Sequence, residues 1–78
     1  MATLRMFSTA SQTAGRSIDK FPAATLGELL DKARERYGTE FDAVLAHSRV
    51  WVNGKADPLD TALIHEDEVA ILPAVAGG

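Results

Sequence analysis

Hydrophobic and polar residues alternate near the start of the chain, and this pattern predicts a first strand over residues 3–8. Leu4 and Met6 fall on one side of that strand, while Phe7 falls on the other side. A strand of this kind buries one face, so Leu4 and Met6 are predicted to lie in the core.

A second strand is predicted over residues 16–21, after a polar run at 8–13 and a turn at Gly15. Ile18 is its predicted inward residue, and Pro22 ends the strand. The two strands together predict an N-terminal hairpin with a long connection.

The clearest element is a helix that begins at Thr25. Thr25 and Glu28 form a capping box, which satisfies backbone amides that the start of a helix leaves unpaired. Glu28 and Lys32 are spaced for an ion pair on the exposed side, and Gly38 ends the helix. The apolar stripe that predicts its core-facing side comprises Leu26, Leu29, Leu30, Ala33 and Tyr37.

A short apolar connection at residues 41–46, packed as one irregular turn, leads into a third strand at 49–53. Asn53-Gly54 is a strong hairpin signal because both residues tolerate positive φ, and a very short strand is predicted at 55–56. The inward residues of the connection and of the third strand are predicted to be Phe41, Val44, Leu45, Val50 and Val52.

The last strand is predicted over residues 69–72, and Pro73 marks its end because proline cannot donate to a sheet ladder. Leu59 and Leu63 are predicted to anchor the loop that precedes this strand. Its core-facing residues are predicted to be Val69 and Ile71.

The order of these elements predicts an α+β fold of the β-grasp, or ubiquitin-like, type. It is a mixed sheet of four to five strands with one main helix packed on one face. The first and last strands are expected to be central neighbours, related by a right-handed crossover. Residues 1–73 form the predicted domain, and residues 74–78 form a flexible C-terminal tail that leaves the end of a central strand.

Composition narrows the classes of function. The 78 residues fit one domain, and the absence of Cys excludes disulfides and thiolate metal sites and suits a reducing compartment. The net charge of −3 argues against a nucleic-acid partner. No stretch approaches the length of a membrane span and the N-terminus lacks the apolar core of a signal peptide, so a cytoplasmic location without a membrane partner is expected.

The sequence ends in an apolar segment closed by Gly77 and Gly78. Two residues without Cβ let the backbone enter a channel that side chains would block. Such an end suits delivery of the Gly78 carboxylate into the active site of a partner. The plain alternative is a frayed terminus, because disorder concentrates at chain ends.

Motifs that carry a family resemblance run along nearly the whole chain. They are Met6-Phe7, Gly15, the helix from Thr25, Val52-Asn53-Gly54, the run from Glu66 to Pro73, and Val75-Ala76-Gly77-Gly78. Their combination resembles the ubiquitin-like sulfur-carrier proteins, and most of all the small subunit of molybdopterin synthase. Ser11, Ile71-Leu72 and Ala74 depart from that subunit, which usually has Arg, aromatic residues and Pro there.

The resemblance implies a sulfur-carrying cosubstrate that is not itself an enzyme and binds no cofactor. An ATP-dependent activating enzyme adenylates the Gly78 carboxylate, and a persulfide donor converts it to a thiocarboxylate. The sulfur then passes to an acceptor held by the synthase large subunit or by another acceptor enzyme. Molybdopterin biosynthesis is the implied pathway, and carriers for cysteine, thiamine or another sulfur-containing metabolite are the alternatives.

The resemblance also implies which residues the partners contact. Phe7 and Leu72 are expected side by side and exposed on the face opposite the core, where an apolar patch is a reasonable docking site. The other implied contact residues continue into the tail, and they are Pro73, Ala74, Val75 and Ala76, followed by Gly77 and Gly78 as the reacting end.

Other functions are less well supported by the residues. His47 and His65 lack the spacing of a zinc site, and no catalytic triad or phosphate-binding glycine loop is present, so neither a metal site nor a stand-alone enzyme is expected. A ubiquitin-like modifier joined through Gly78 to lysines of other proteins needs the same fold and tail, and it remains an alternative. A non-covalent β-grasp interaction module is the third.

Overall fold

A computed structural model describes residues 1–64 and 66–73, and in this part of the chain five strands and three helices form. In chain order they are β1 (Ala2–Met6), α1 (Thr9–Ala14), β2 (Ile18–Phe21), α2 (Leu26–Tyr37), α3 (Thr39–Ala46), β3 (Ser48–Val52), β4 (Lys55–Ala56) and β5 (Glu68–Pro73). None of these helices is long and apolar enough to cross a membrane.

The strands form one mixed sheet in the order β2-β1-β5-β3-β4. The first and last strands pair in parallel at its centre, while the other pairs are antiparallel. This is the predicted β-grasp arrangement, and the prediction that the terminal strands are central neighbours is confirmed. The last strand is consequently hydrogen-bonded on both sides.

The helices cover one face of the sheet, and the core lies between the two layers. Leu4 of β1 and Val69 and Ile71 of β5 are all 0% exposed, as the alternation predicts. Full burial of such a side chain stabilises the fold by about 1.5–3 kcal/mol. The buried residues of the core are Ala2, Leu4, Met6, Ala10, Phe21, Leu26, Leu29, Leu30, Ala33, Phe41, Leu45, Val52, Leu63, Val69 and Ile71.

The main helix, α2, forms as its sequence predicts. Thr25 Oγ1 accepts a hydrogen bond from the amide of Glu28 at 3.2 Å. The Glu28 carboxylate accepts in return from the amide of Ala24 at 3.4 Å, one residue before the expected donor. Glu28 also pairs with Lys32 at 3.4 Å, and the left-handed φ of 93° at Gly38 ends the helix.

Two predicted irregular segments are helical instead. The polar run before Gly15 forms α1 because Ala10 packs into the core at 2% exposure and Gly15 closes the helix with a φ of 77°. Residues 39–46 form the regular helix α3, in which Phe41 and Leu45 are buried one turn apart. The first prediction failed because a short helix held by one small buried residue has little apolar periodicity.

Ile18 was predicted to face inward, and this prediction is wrong. Ile18 lies opposite Arg5 in the ladder between β2 and β1, and Arg5 points to the open face of the sheet. Ile18 is therefore 47% exposed, and Phe21, opposite Ala2, is the buried residue of β2 at 1% exposure. The pairing register, which the strand's own residues do not reveal, decides the face.

The loop before β5 is anchored differently from the prediction. Leu63 is buried as expected, but the Leu59 side chain is 61% exposed. Leu59 is held by its backbone, because its carbonyl accepts a hydrogen bond from the Gly27 amide at 2.8 Å. A Cβ on Gly27 would lie 3.3 Å from that carbonyl oxygen, so the close approach favours glycine in the first turn of α2.

Candidate partner-binding site

The sheet fixes the position of Pro73, after which the described part of the chain ends. Pro73 is the last residue of β5 and lies opposite Ser48, the first residue of β3. On the other side, the Phe7 amide donates to the Ile71 carbonyl at 3.2 Å just beyond the end of β1. The predicted contact and reacting residues that follow lie outside the described residues, and they are Ala74, Val75, Ala76, Gly77 and Gly78.

One face of the sheet, here called the open face, carries the residues that alternate with the core. Ala70 lies at its centre, between Arg5 on β1 and Trp51 on β3. Trp51 is 37% exposed, and Ile18 extends the same row across the sheet beyond Arg5. Leu72 belongs to this face as predicted and is half-buried. Apolar groups are therefore scattered across the open face between β2 and β3.

The open face also carries charge. Arg5 pairs with Glu68 at 2.9 Å, with both side chains 48% exposed, so the pair is solvent-screened and adds little to stability. Arg49 lies opposite Leu72 and forms no ion pair within the described part of the chain. An apolar surface beside such a cation suits a protein partner with an apolar contact and a nearby carboxylate.

Phe7 is exposed as predicted, at 43%, and it follows Met6, the ladder partner of Ile71, so that its backbone lies next to Leu72. Phe7 lines a groove with Ala10 of α1, Val44 of α3 and Ser48. The φ of 55° at Ser8 turns the chain into α1. We call this the end groove and define it by Phe7, Ala10, Val44, His47 and Ser48.

The end groove was not predicted from the sequence as a site. It requires α1 and α3, and both of these were predicted as irregular segments. Ala10, inside the polar run, and Ala14, directly after it, are spaced four residues apart and are the sequence signal that indicates a helix there. Ser48 closes the groove at the strand side, and its hydroxyl donates to the Val44 carbonyl at 2.7 Å.

The most perturbed titratable group is Tyr37, and it belongs to a structural cluster. Its hydroxyl donates a hydrogen bond to Asp19, which also accepts from Arg36 at 2.9 Å. Partial burial, together with that bond, raises the pKa of Tyr37 to about 12. Burial raises the pKa of Asp19, but the bonds from Tyr37, Arg36 and the Lys20 amide outweigh it and leave that pKa lowered. The cluster ties β2 to α2.

The Asn-Gly and acidic motifs of the sequence also act structurally. Asn53 and Gly54 have φ values of 50° and 83°, which form the predicted hairpin turn. The side-chain nitrogen of Asn53 donates a hydrogen bond to the Asp67 carboxylate at 3.0 Å. The side-chain oxygen of Asn53 accepts one from the backbone amide of Glu68 at 2.9 Å. The Ile64 amide, and then the Asn53 bond, lower the pKa of Asp67. These contacts hold the turn between β3 and β4 against the start of β5.

No three His, Cys, Asp or Glu side chains within residues 1–64 and 66–73 come together in a way that holds a metal ion. His47 lies at the end groove, and His65 lies outside the described residues. The described residues thus offer surfaces for a partner and hydrogen-bonded clusters that position strands.

Comparison with known proteins shows which class of protein the chain belongs to by its fold, and then which family it belongs to. SAMP1 from Haloferax volcanii shares 26% identity and a TM-score of 0.84, with 99% of this chain and 98% of that chain covered. Subunit 1 or 2 of the molybdopterin-converting factor complex from Helicobacter pylori matches at 24% identity and a TM-score of 0.75, covering 99% and 97%. A chain of the Amycolatopsis orientalis BexX/CysO complex shares 22% identity and a TM-score of 0.82, and the match covers 100% of this chain and 100% of that chain.

These structures share the ubiquitin-like β-grasp fold with the chain. The profile of the ThiS family matches residues 4–78, which is nearly the whole sequence. No curated protein matches the sequence significantly. The chain belongs to the ThiS family of ubiquitin-like sulfur carriers, as the sequence motifs predict.

Proposed function

We propose that the chain carries sulfur as a thiocarboxylate on Gly78, as the small subunit of a molybdopterin synthase. The observation that carries the proposal is the placement of β5. This central strand is paired with β1 as far as Ile71 and with β3 as far as Pro73, and the sequence then continues for residues 74–78 and ends in Gly77-Gly78. Membership of the ThiS family supports the same chemistry.

The chemistry begins with activation, because a carboxylate is a poor electrophile. An oxygen of the Gly78 carboxylate attacks the α-phosphorus of ATP on an activating enzyme, and pyrophosphate leaves. The terminal sulfur of a persulfide then attacks the acyl carbon, and AMP leaves. A second thiol attacks the remaining disulfide and releases the thiocarboxylate, so the two electrons come from thiol oxidation. The chain contains no Cys, so a partner supplies the thiols.

The chain's own residues position the reacting end. The titratable clusters around Asp19 and Asn53 hold strands and a helix, and they have no place in the reaction. Five extended residues reach about 15–18 Å, which is sufficient for the Gly78 carboxylate to enter a buried active site while the domain stays outside. On this proposal the chain is a cosubstrate and binds no cofactor, while ATP binds to the activating enzyme.

The open face is the proposed docking surface for the activating enzyme and for the synthase large subunit. Leu72 and Trp51 lie on it, beside the strand end from which the tail starts. The two-subunit complex of the Helicobacter pylori molybdopterin-converting factor supports a large subunit as one partner. Phe7 and Pro73 flank the same strand end, and we propose that they contact these partners as well. Because the activation consumes ATP, we expect the chain to act in the cytoplasm.

A ubiquitin-like modifier is the second candidate, since the similarity to the modifier SAMP1 extends over almost both chains at 26% identity. In that case the activated Gly78 is joined to lysines of other proteins. Carriers in cysteine or thiamine formation share the family and differ only in the acceptor enzyme. These candidates differ in product, so the product has to be measured.

The deciding experiment is the intact mass of the purified chain after incubation with ATP, an activating enzyme and a persulfide donor. We expect a mass increase equal to replacement of one oxygen by sulfur. Adducts of higher mass with other proteins, without the oxygen-to-sulfur change, would assign the modifier function instead. Formation of molybdopterin after addition of a synthase large subunit and its precursor would then establish the pathway.

Two tail variants serve as controls. Deletion of Gly78 is expected to abolish the mass change, because the shortened chain no longer presents a Gly-Gly end. Addition of one Ala after Gly78 keeps both glycines but moves the carboxylate, and it is also expected to abolish the change. A mass increase that persists in both variants would show that sulfur is attached elsewhere.

A further inference from the structure

The turn between β3 and β4 contains a peptide bond that is open to chemical change. Asn53 and Gly54 are both exposed, and Asn is one of the thermolabile residue types. Glycine lacks the side chain that would shield its backbone nitrogen. A Cβ on Gly54 would meet no atom within 4 Å, so the space around the turn is open to water.

The reaction available to this pair is deamidation. The backbone nitrogen of Gly54 loses its proton and attacks Cγ of Asn53, which closes a five-membered succinimide ring. The bond from Cγ to the side-chain nitrogen breaks, and that nitrogen leaves as ammonia. Water then opens the ring at either carbonyl and gives aspartate or its isomer isoaspartate. The reaction needs no oxidant, reductant or cofactor.

The conformation of the turn opposes ring closure. The φ values of 50° at Asn53 and 83° at Gly54 are those of a type I′ turn, in which ψ of the first central residue is about 30°. The ring requires the Gly54 nitrogen and the Asn53 Cβ on the same side of the bond between them, from Cα to the carbonyl carbon. The turn places them on nearly opposite sides, so the turn has to open before the nitrogen can attack.

The side chain of Asn53 is held at both of its polar atoms. Its nitrogen, the group that would leave, donates to the Asp67 carboxylate at 3.0 Å, and its oxygen accepts from the Glu68 amide at 2.9 Å. The backbone amide of Asn53 donates to the Glu68 carbonyl at 2.7 Å. The Asp67 carboxylate is fixed in turn by the Ile64 amide at 2.8 Å. These contacts have to break when the turn opens.

We infer that Asn53 is a deamidation site, held unreactive in the folded chain by its contacts with Asp67 and Glu68. The change is irreversible, because the product has a carboxylate where Asn53 has its donor nitrogen. That carboxylate would face the Asp67 carboxylate, and like charges so close repel each other. Isoaspartate also adds a backbone carbon to a two-residue turn. Either product therefore leaves the turn detached from the start of β5.

The composition of the chain makes the reaction easy to follow. Asn53 is its single Asn and Gln12 its single Gln, so the intact mass of the full-length chain reports amide loss and fragment masses locate it. We expect the folded wild-type chain to react much more slowly than the same chain unfolded in denaturant. Equal rates in the folded and unfolded chains would overturn the inference.

Asp67→Ala tests the contact itself. Loss of one hydrogen bond to a charged group favours the open turn by about tenfold or more, and we expect deamidation to accelerate by that factor. Asp60→Ala is the matched control, because Asp60 is exposed and is not a partner of Asn53, and it is expected to react at the wild-type rate. A wild-type rate in Asp67→Ala, or equal acceleration in both variants, would overturn the inference.

Tyr37→Phe separates local opening from a general loss of stability. It removes a hydrogen bond to Asp19, between β2 and α2, at the other edge of the sheet from the turn. We expect it to accelerate deamidation much less than Asp67→Ala does. Equal acceleration would assign the protection to global stability and would overturn the inference. Deamidation at Asn53 is independent of sulfur chemistry at Gly78, so either can fail without the other.

Discussion

The two faces of the same sheet differ in what they contribute to the molecule. Leu4 and Ile71 on the helical face are 0% exposed, whereas Ile18 and Trp51 on the open face are 47% and 37% exposed. All four are large apolar residues in strands of one sheet. The face on which a residue lies, rather than its hydrophobicity, therefore decides whether it stabilises the fold or remains available to a partner.

The edge of the helical layer strengthens this contrast. Asp19 accepts hydrogen bonds from Tyr37 and Arg36, and the Arg36 guanidinium lies 4.4 Å from the centre of the Phe21 ring. On the open face, the ion pair between Arg5 and Glu68 is half exposed. The polar side chains between β2 and α2 are held by hydrogen bonds to one another, whereas those on the open face are exposed to solvent.

The largest effect on stability is expected from Leu29→Ala. Leu29 is 0% exposed in the centre of the core, and removal of its side chain leaves a cavity that costs about 2–5 kcal/mol in the free energy of unfolding. Chemical denaturation measures this loss. Sulfur loading of the folded fraction is expected to be unchanged, since Leu29 does not reach either candidate surface.

Leu59→Ala is the matched control, because it makes the same chemical change at a side chain that is 61% exposed. Its expected cost is within about 0.5 kcal/mol. Similar costs for the two variants would contradict the assignment of the core to the helical face.

The next largest effect is expected from Tyr37→Phe. The substitution removes the hydroxyl that donates to Asp19 and leaves the Tyr37 ring contacts with Phe21 and Phe41 in place. Loss of a hydrogen bond to a charged group lowers the free energy of unfolding by about 1.5–3 kcal/mol. Arg36→Gln provides a comparison within the cluster. An unchanged stability in Tyr37→Phe would show that the cluster does not lock the edge of the sheet.

The pH dependence tests the same contact without a substitution. The pKa of Tyr37 is raised to about 12 by burial and by its bond to Asp19, so the folded state favours the neutral hydroxyl. The stability that this group contributes is complete below pH 10 and is lost as the pH rises through about 12. Tyr37 is the single Tyr of the chain, so the ultraviolet absorbance of tyrosinate reports it alone. A midpoint near 10 would contradict the contact.

Local signals in the sequence were sufficient for most of the sheet and for α2. The capping box at Thr25, the Asn53-Gly54 turn and the alternation in the terminal strands each depend on neighbouring residues, and each is confirmed. The face of Ile18 depends on its register with Arg5, which is a tertiary property. A strand of four residues does not contain that information.

The candidate site also contains some features that neighbouring residues predict and others that depend on tertiary structure. Alternation from Ile71 places Leu72 on the open face correctly. Phe7 follows β1 directly and also lines the end groove, a position that the pattern of its own strand does not indicate. The groove itself needs α1, whose polar sequence gives little apolar periodicity. The roles of Ala74, Val75, Ala76, Gly77 and Gly78 stay predictions from the sequence and the family.

A small effect on stability, combined with a large effect on binding, is expected from Trp51→Ala. Trp51 lies beside Ala70 on the open face, and its partial exposure limits the expected loss of stability to about 1 kcal/mol. An aromatic side chain at the centre of an interface commonly contributes at least about 2 kcal/mol to binding, which corresponds to a loss of affinity of more than about tenfold.

Titration calorimetry with the activating enzyme measures this loss of affinity. Ile64→Ala is the control, because Ile64 is 72% exposed and lies outside the sheet. Wild-type affinity in Trp51→Ala would remove the open face as the docking surface, while a loss of stability as large as that of Leu29→Ala would place Trp51 among the residues that hold the fold.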